Sequence, residues 1–219
     1  MLQICIFFCT ITTIVQSQDL PLLDSIRYAM KSRPILTGGF DNKNTFVSGS
    51  GAPINGLEIG VSFGSKISYM VGYYFLKKPI EGIATLNRGT MHEITYATKV
   101  QFSYFSFIAE YTLYKKGRWS VYMPLQLGIG KASKRYFEKN IEAFQKQNNI
   151  LPIELSVTGN YRIWKFVGVS GGLGCRTALG ANIIKDEDFS GLTYSLGVKI
   201  WFGDLCQILL PKCQFCDYL

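Results

Sequence analysis

The sequence predicts an all-β fold, an eight-stranded antiparallel transmembrane β-barrel, and three observations support this prediction. First, segments of about ten residues alternate apolar with small or polar side chains, which is the period of a membrane-spanning β-strand. Second, the connections between these segments are alternately short and long. Third, only 17% of the residues are charged, whereas soluble domains typically carry about 25%.

The alternation is clearest in residues 191–202. Leu192, Leu196 and Ile200 share one face of this strand, and Ser195 and Lys199 share the other. Small residues suit the crowded interior of a small barrel, whereas the outside of a soluble barrel would carry many Lys and Glu side chains. We therefore expect the apolar face to contact lipid, with a soluble lipocalin-like ligand-binding barrel as an alternative.

Eight strands are predicted, and both chain ends then return to the periplasmic side. They cover residues 34–42, 56–64, 67–77, 96–114, 118–131, 151–162, 165–178 and 191–202. Tight periplasmic turns are expected near residues 64–66, 115–117 and 163–164, and long outer loops at 43–55, 78–95, 132–150 and 179–190. The apolar side of the fourth strand changes face along its length, which predicts a β-bulge near Phe105. An aromatic girdle that includes Tyr73, Tyr74 and Phe75 is expected beside the short turns.

Four regions follow from these strands. Residues 1–18 are predicted to be a signal peptide, because an apolar run from Ile4 to Val15 ends in polar residues. Residues 19–33 form a periplasmic lead-in and residues 34–203 form the barrel. Residues 204–219 form a periplasmic tail that contains cysteine.

Segments of the barrel resemble small outer-membrane barrels of Bacteroidetes, namely the OmpA-like and PorT-like barrel families. The likeness lies in residues 110–122, Glu-Tyr-Thr-Leu-Tyr-Lys-Lys-Gly-Arg-Trp-Ser-Val-Tyr, in the closing Gly128-Ile129-Gly130, and in the strand that ends Lys199-Ile200-Trp201-Phe202-Gly203. This resemblance covers residues 34–203. It implies the cell outer membrane as the location and the barrel-insertion machinery as a partner. It also implies an alternative function, assembly factor for a secretion system.

Charged side chains are expected inside the barrel. An eight-stranded barrel is just wide enough to be filled by its own side chains, so charges inside it must pair or be hydrated. The sequence therefore predicts a structural charge network and a filled lumen without a large pore. Its members are Glu58, Lys99, Glu110, Glu154, Arg162, Arg176 and Lys199.

If these charged residues form a structural network, the sequence predicts a structural or interaction protein. It predicts no enzyme, cofactor or metal site. A lipid-modifying enzyme of the outer membrane is an alternative, but its Ser-His-acid arrangement would have to use His92, the single histidine. The net charge of +8 is scattered through turns and strand ends, which argues against nucleic acid as a partner. It favours outer-membrane lipid and lipopolysaccharide.

A surface site is expected in the loop at residues 133–149. Read as a short amphipathic helix, this loop aligns Phe137, Ile141 and Phe144 on one side among basic residues. Such a row could rest on the membrane or receive an envelope protein partner. A disordered or strand-extending loop is the alternative.

The tail carries Cys206, Cys213 and Cys216. Three cysteines without a histidine are too few for a zinc site. A disulfide from Cys206 to either Cys213 or Cys216 is expected in the oxidising envelope.

Leu196 tests the assignment of the lipid-facing row. We expect Leu196→Arg to lower the free energy of unfolding by about 2–4 kcal/mol, because a cation at the bilayer midplane is costly. Denaturant unfolding in lipid vesicles measures this difference. The neighbouring variant Ser195→Thr is the control and should be mild, and equal tolerance of both changes would show that the faces are reversed.

Overall fold

The structure is a computed structural model that describes residues 22–47, 50–64, 66–86, 94–138, 141–179 and 190–209. The predicted signal peptide, His92, Cys213 and Cys216 lie outside these residues. Cys206 lies in a described helix, but its side chain does not belong to the described part. The signal peptide, the disulfide and the hydrolase hypothesis therefore stay predictions.

In the described residues, two short helices flank nine strands. The helices are α1 (Leu22–Ala29) and α2 (Phe202–Leu209). The strands are β1 (Pro34–Val47), β2 (Ser50–Phe63), β3 (Ile67–Leu76), β4 (Ile80–Leu86), β5 (Ile94–Lys116), β6 (Trp119–Glu138), β7 (Ile141–Arg162), β8 (Val167–Leu179) and β9 (Gly191–Trp201).

The strands form one antiparallel sheet in the order β3-β2-β1-β9-β8-β7-β6-β5-β4, and pairing between β3 and β5 closes it into a ring. Strand β4 continues β3, and both pair with β5: Phe75 pairs with Ser103, and Ile80 pairs with Val100. Five steps along β3–β4 thus match three steps along β5, which leaves two extra residues in a bulge at residues 76–79. The ring has eight strand positions, which confirms the predicted eight-stranded barrel.

The outward face of the barrel is apolar. Leu173 is 73% exposed, Leu196 is 68% exposed and Ile129 is 67% exposed. Their inward neighbours are small, polar or charged, such as Ser195 and Gly128. An apolar belt of this kind cannot face water around a whole barrel, so it faces lipid. The soluble lipocalin-like alternative is therefore wrong.

The strands reach further at one end of the barrel than the sequence predicts. The expected loops at 43–55 and 132–150 are largely strand, because β1 runs to Val47, β2 begins at Ser50, β6 runs to Glu138 and β7 begins at Ile141. The predicted amphipathic helix at 133–149 is wrong for the same reason. Its apolar residues also fit a β period, and cross-strand stacking of Tyr136 on Phe144 (centroids 4.3 Å apart) stabilises the hairpin.

The predicted bulge near Phe105 is also wrong. Strand β5 pairs with β6 without a break from Ala97 to Thr112, and the register shifts only at Leu113. The inward and outward faces of β5 therefore alternate without interruption. Phe102 and Tyr104 point inward, where the upper lumen is itself apolar. Tyr74 likewise faces the lumen. Tyr73 and Phe75 lie near the end of β3 that is remote from the short turn at residues 64–66, so none of the three residues belongs to the predicted girdle beside the short turns.

Both helices lie at the short-turn end, which is the periplasmic end. Gly64 has a left-handed backbone (φ 55°) and lies against Ala29 of α1, where a side chain would be strained. Helix α2 begins at Phe202, directly after β9 ends at Trp201. No helix in the described part of the chain is long and apolar enough to cross a membrane.

Gly130 tests the close approach of β5 and β6. A Cβ atom at this position would overlap the carbonyl oxygen of Ser103 and the side chain of Tyr104. We expect Gly130→Ala to lower the free energy of unfolding by about 1–3 kcal/mol through overpacking. Denaturant unfolding in lipid vesicles measures the change. Gly51→Ala is the matched control, because nothing lies within 4 Å of a Cβ there, and equal losses from both variants would contradict the packing described for Gly130.

Candidate functional site

The lumen is crossed by a cluster of charges centred on Glu154. Glu154 on β7 and Arg176 on β8 are register partners, and both point inward because their strands alternate. The Arg176 Nε atom donates to Glu154 Oε2 at 2.9 Å, and less than a tenth of each side chain is exposed. Two charges buried this deeply depend on each other, since neither has access to bulk water.

Lys43 joins this pair from the other side of the barrel. Its Nζ lies 3.1 Å from Glu154 Oε1 and 3.4 Å from Asp41 Oδ2, and it donates to Gln126 Oε1 at 2.6 Å. Gln126 belongs to β6, which lies opposite β1 in the ring. The cluster therefore connects strands across the lumen, in addition to the neighbouring strands that backbone hydrogen bonds already join.

A second ion pair crosses the full width of the ring. We call this pair and the Glu154 cluster the two charge ties. Lys199 on β9 forms an ion pair with Glu110 on β5, and these two strands are also opposite each other. The ammonium of Lys199 lies 4.2 Å from the ring centroid of Tyr122. Glu58 accepts a hydrogen bond from the hydroxyl of Tyr74. Four of the predicted network residues thus form ion pairs inside the lumen, and Glu58 lies among them.

A cavity of about 60 Å³ lies between the two ties. Gln126 and Asn160 line it, and the Gln126 Nε2 atom and both polar atoms of the Asn160 amide have no hydrogen-bond partner among the described residues. A polar cavity of this size is large enough for ordered water, which would satisfy these atoms.

The lumen is closed above and below the charges. Towards the outer end, many inward positions of β2, β3, β5, β6 and β7 are apolar, although Thr98 and Lys134 are buried there as well. Tyr74 and Tyr104 stack in this region with centroids 5.1 Å apart. This apolar layer consists of Ala52, Ile54, Met70, Tyr74, Leu76, Val100, Phe102, Tyr104, Ile108, Ala132 and Ile150. At the periplasmic end, the guanidinium of Arg162 lies 3.9 Å from the ring centroid of Trp201 and 3.5 Å from Asp204 of α2.

Two predicted network residues lie outside the central cluster. Arg162 is at the periplasmic end, as described above. Lys99 points outward, is 45% exposed and pairs with Glu81 at 3.0 Å. The prediction for Lys99 was wrong because the bulge assumed near Phe105 reversed the faces of the first half of β5.

Asp41 and Lys43 are absent from the predicted network for different reasons. Asp41 lies inside the predicted first strand (residues 34–42), but that strand is weakly patterned, whereas Lys43 lies one residue beyond its predicted end. The signal is present in the sequence, since Gly39, Asp41, Lys43 and Thr45 form one inward row of β1, and extending the alternation by one residue places Lys43 in the lumen.

Strands β5, β6 and β7 continue beyond the apolar belt as a sheet outside the membrane. On the face that continues the lumen side, Tyr136 stacks on Phe144, and Tyr96 meets both rings at 6.2 and 5.6 Å. The ammonium groups of Lys134 and Lys146 each lie 5.8 Å from the centroid of Tyr136. We call these five residues the hairpin cluster.

The predicted surface row does not exist as one row. Phe144 belongs to the hairpin cluster. Phe137 lies on the other face, where the ammonium of Lys99 is 5.8 Å from its centroid. Ile141 is at the tip and is 72% exposed. The helical reading placed the three together only because it assumed the wrong period.

The described residues offer no metal centre. Among them, no group of three or more His, Cys, Asp or Glu side chains is placed to hold a metal ion. Cys175 is a free cysteine on the outward face of β8.

Solved structures share this fold at low sequence identity. A major outer membrane protein from Thermus thermophilus is 11% identical, with 75% of this chain and 98% of that chain covered and a TM-score of 0.50. Neisserial surface protein A is 12% identical, with 77% and 97% covered and a TM-score of 0.47. The N-terminal β-barrel domain of Pseudomonas aeruginosa OprF is 13% identical, with 77% and 97% covered and a TM-score of 0.45. No protein-family model matches the sequence, and no curated protein does.

The apolar belt, the closed ring and this shared fold identify the chain as an outer-membrane β-barrel.

Glu154 tests the charge cluster. We expect Glu154→Gln to lower the free energy of unfolding by about 3–5 kcal/mol, because Lys43 and Arg176 would stay buried without their common carboxylate. Guanidinium unfolding in vesicles measures the loss. The control Lys99→Gln removes an exposed ion pair and should cost about 0–1 kcal/mol. A loss at Glu154 no larger than that of the control would mean that the cluster does not hold the barrel together.

Proposed function

We propose that the protein is a structural or interaction protein of the outer membrane, with a filled lumen and a binding surface outside the membrane. The observation that supports this most directly is the length of β5, β6 and β7. Strands of about ten residues suffice to cross a bilayer, whereas β5 has 23 residues, β6 has 20 and β7 has 22. The surplus forms a rigid sheet in the aqueous phase.

The hairpin cluster gives this sheet a binding chemistry. Tyr136 and Lys134 are buried within the cluster, so its accessible part is the half-buried rings of Tyr96 and Phe144 beside the exposed Lys146. Aromatic rings with an adjacent ammonium group suit partners that present a flat apolar surface beside a negative charge. The charged side chains of the lumen are already paired or enclosed. The outer sheet is therefore the part of the described chain best suited to contact an envelope or extracellular partner.

The other hypotheses stay open in different ways. A secretion-system assembly factor of the PorT type is one special case of an interaction protein, and the outer sheet is compatible with it. A lipid-modifying enzyme depends on His92, which lies outside the described residues.

Photo-crosslinking in cells tests the interaction role. With a photoreactive amino acid in place of Ile141, at the exposed tip, we expect a discrete protein adduct that a second photoprobe in place of Leu196, on the lipid-facing row, does not form. Replacing residues 135–145 by Asn-Gly would join Lys134 to Lys146, which are register partners, through a two-residue turn. This shortened protein should keep its heat-modifiable gel migration. It should no longer compete with the full-length protein for the crosslinked partner.

Two results would overturn the proposal. One is the absence of any protein adduct from position 141 in a correctly folded, surface-exposed barrel. The other is an adduct whose yield the shortened, folded protein still competes down.

A further inference from the structure

The lipid-facing wall has a groove on one side of the barrel. It measures about 650 Å³ and is lined by outward side chains of β2, β3, β5 and β6, among them Ile59, Val71, Phe107 and Leu127. Its floor is the backbone at Gly72, Ser106 and Gly128, which are register neighbours. The Ser106 side chain is buried on the lumen side, and the two glycines have no side chain that could fill the groove. Four strands about 4.8 Å apart make the groove about 14 Å wide, so it is wide enough for more than one acyl chain.

Cations stand directly above this groove, on the side of the outer leaflet. Lys131 follows Ile129 of the groove by two residues on β6, a rise of about 7 Å along the strand. Lys77 and Lys78 lie exposed at the bulge above Tyr73. Lys99 and Arg135 are register partners two rows above Lys131. Glu81, which pairs with Lys99, is the one acidic side chain among the described outward residues of this sector.

The rest of the outer rim differs. On the described parts of β1, β2, β8 and β9, the basic side chains in the outer half, Lys43 and Arg176, both point into the lumen. The outward positions of β1 and β2 at that level carry amides, with Asn42 donating to Asn55 at 2.9 Å. The cations and the groove therefore occupy the same sector, which scattered turn charges would not explain.

We propose that this sector binds a phosphorylated, multiply acylated glycolipid of the lipid A type. Its acyl chains would lie in the groove, its first phosphate would meet Lys77, Lys78 and Lys131, and a second phosphate or acidic sugar would meet Lys99 and Arg135. The two tiers of cations are four residues apart along β6, about 13 Å. That spacing favours a ligand with two anionic groups separated by sugar over a phospholipid with one headgroup phosphate.

The inference rests on the proposed function, because the groove faces the outer leaflet only if the outer sheet lies outside the cell. It is distinct from the hairpin cluster, whose aromatic rings lie on the opposite face of the same strands.

Native mass spectrometry of the detergent-purified full chain tests the proposal. The probe is bis-phosphorylated, hexa-acylated lipid A, compared with the same lipid after dephosphorylation and with phosphatidylglycerol. The variant is Lys77→Gln/Lys131→Gln/Arg135→Gln. The matched control is Lys115→Gln/Lys116→Gln/Arg118→Gln, which removes the same charge at the periplasmic end.

We expect the first triple variant to lose about 100-fold in affinity for lipid A, since each cation at an anionic membrane surface contributes about a factor of five. The control should bind like the unmodified protein, and the dephosphorylated lipid should bind weakly to all three. Heat-modifiable migration of each variant shows that its barrel is folded, so a failure of the barrel itself is recognised separately.

Three outcomes would overturn the proposal: equal affinity of the first variant and the control, equal binding of the dephosphorylated lipid, and equal binding of phosphatidylglycerol. The last would identify a surface for any anionic lipid. In none of these cases would the photo-crosslinking result at position 141 change.

Discussion

The rest of the structure depends on the carboxylate of Glu154, which holds two cations inside a barrel that has no room for bulk water. Arg176 reaches it from the neighbouring strand, and Lys43 reaches it across the lumen. Eight strands enclose an interior that side chains fill, so a charge placed there must be neutralised by another side chain. The Glu110–Lys199 pair repeats this solution between opposite strands. These ties fill the centre of the barrel with paired charges, which supports the proposal that function lies at the outer surface.

The outer surface is divided between two environments. The same three strands, β5, β6 and β7, pass through the lipid belt and continue beyond it as the outer sheet. One face of this sheet carries the aromatic rings of Tyr136 and Phe144 towards the axis of the barrel. The other face carries Lys99 and Arg135, which are register partners, away from the axis of the barrel. Strand alternation alone produces this division, since successive side chains point to opposite sides.

The sequence predicted the parts of the fold that depend on local period. Eight strand positions, the lipid-facing row of β9 and the inward positions of Glu110, Glu154 and Arg176 all follow from alternation within one strand. The outer sheet follows from the strand-extending alternative for residues 133–149. Those residues fit both a helical and a strand period, and only pairing with β5 decides between them. Lys99 is predicted on the wrong face of β5, because the neighbouring apolar residues line the lumen and the sequence alone suggests that they face lipid. The partners of Glu154 depend on how the ring closes and on the register between strands. Neither can be inferred from the sequence of a single strand.

We propose that side chains close the lumen, and the electrical conductance of the purified, folded protein in a planar lipid bilayer under an applied voltage tests this proposal. The charge ties, the apolar layer above them and the Arg162–Trp201 contact below them predict a current that stays at the background of the bare bilayer, apart from brief fluctuations. A steady, voltage-independent conductance from the folded barrel would contradict the account, because ions could then pass continuously through the positions assigned to Glu154 and Tyr104.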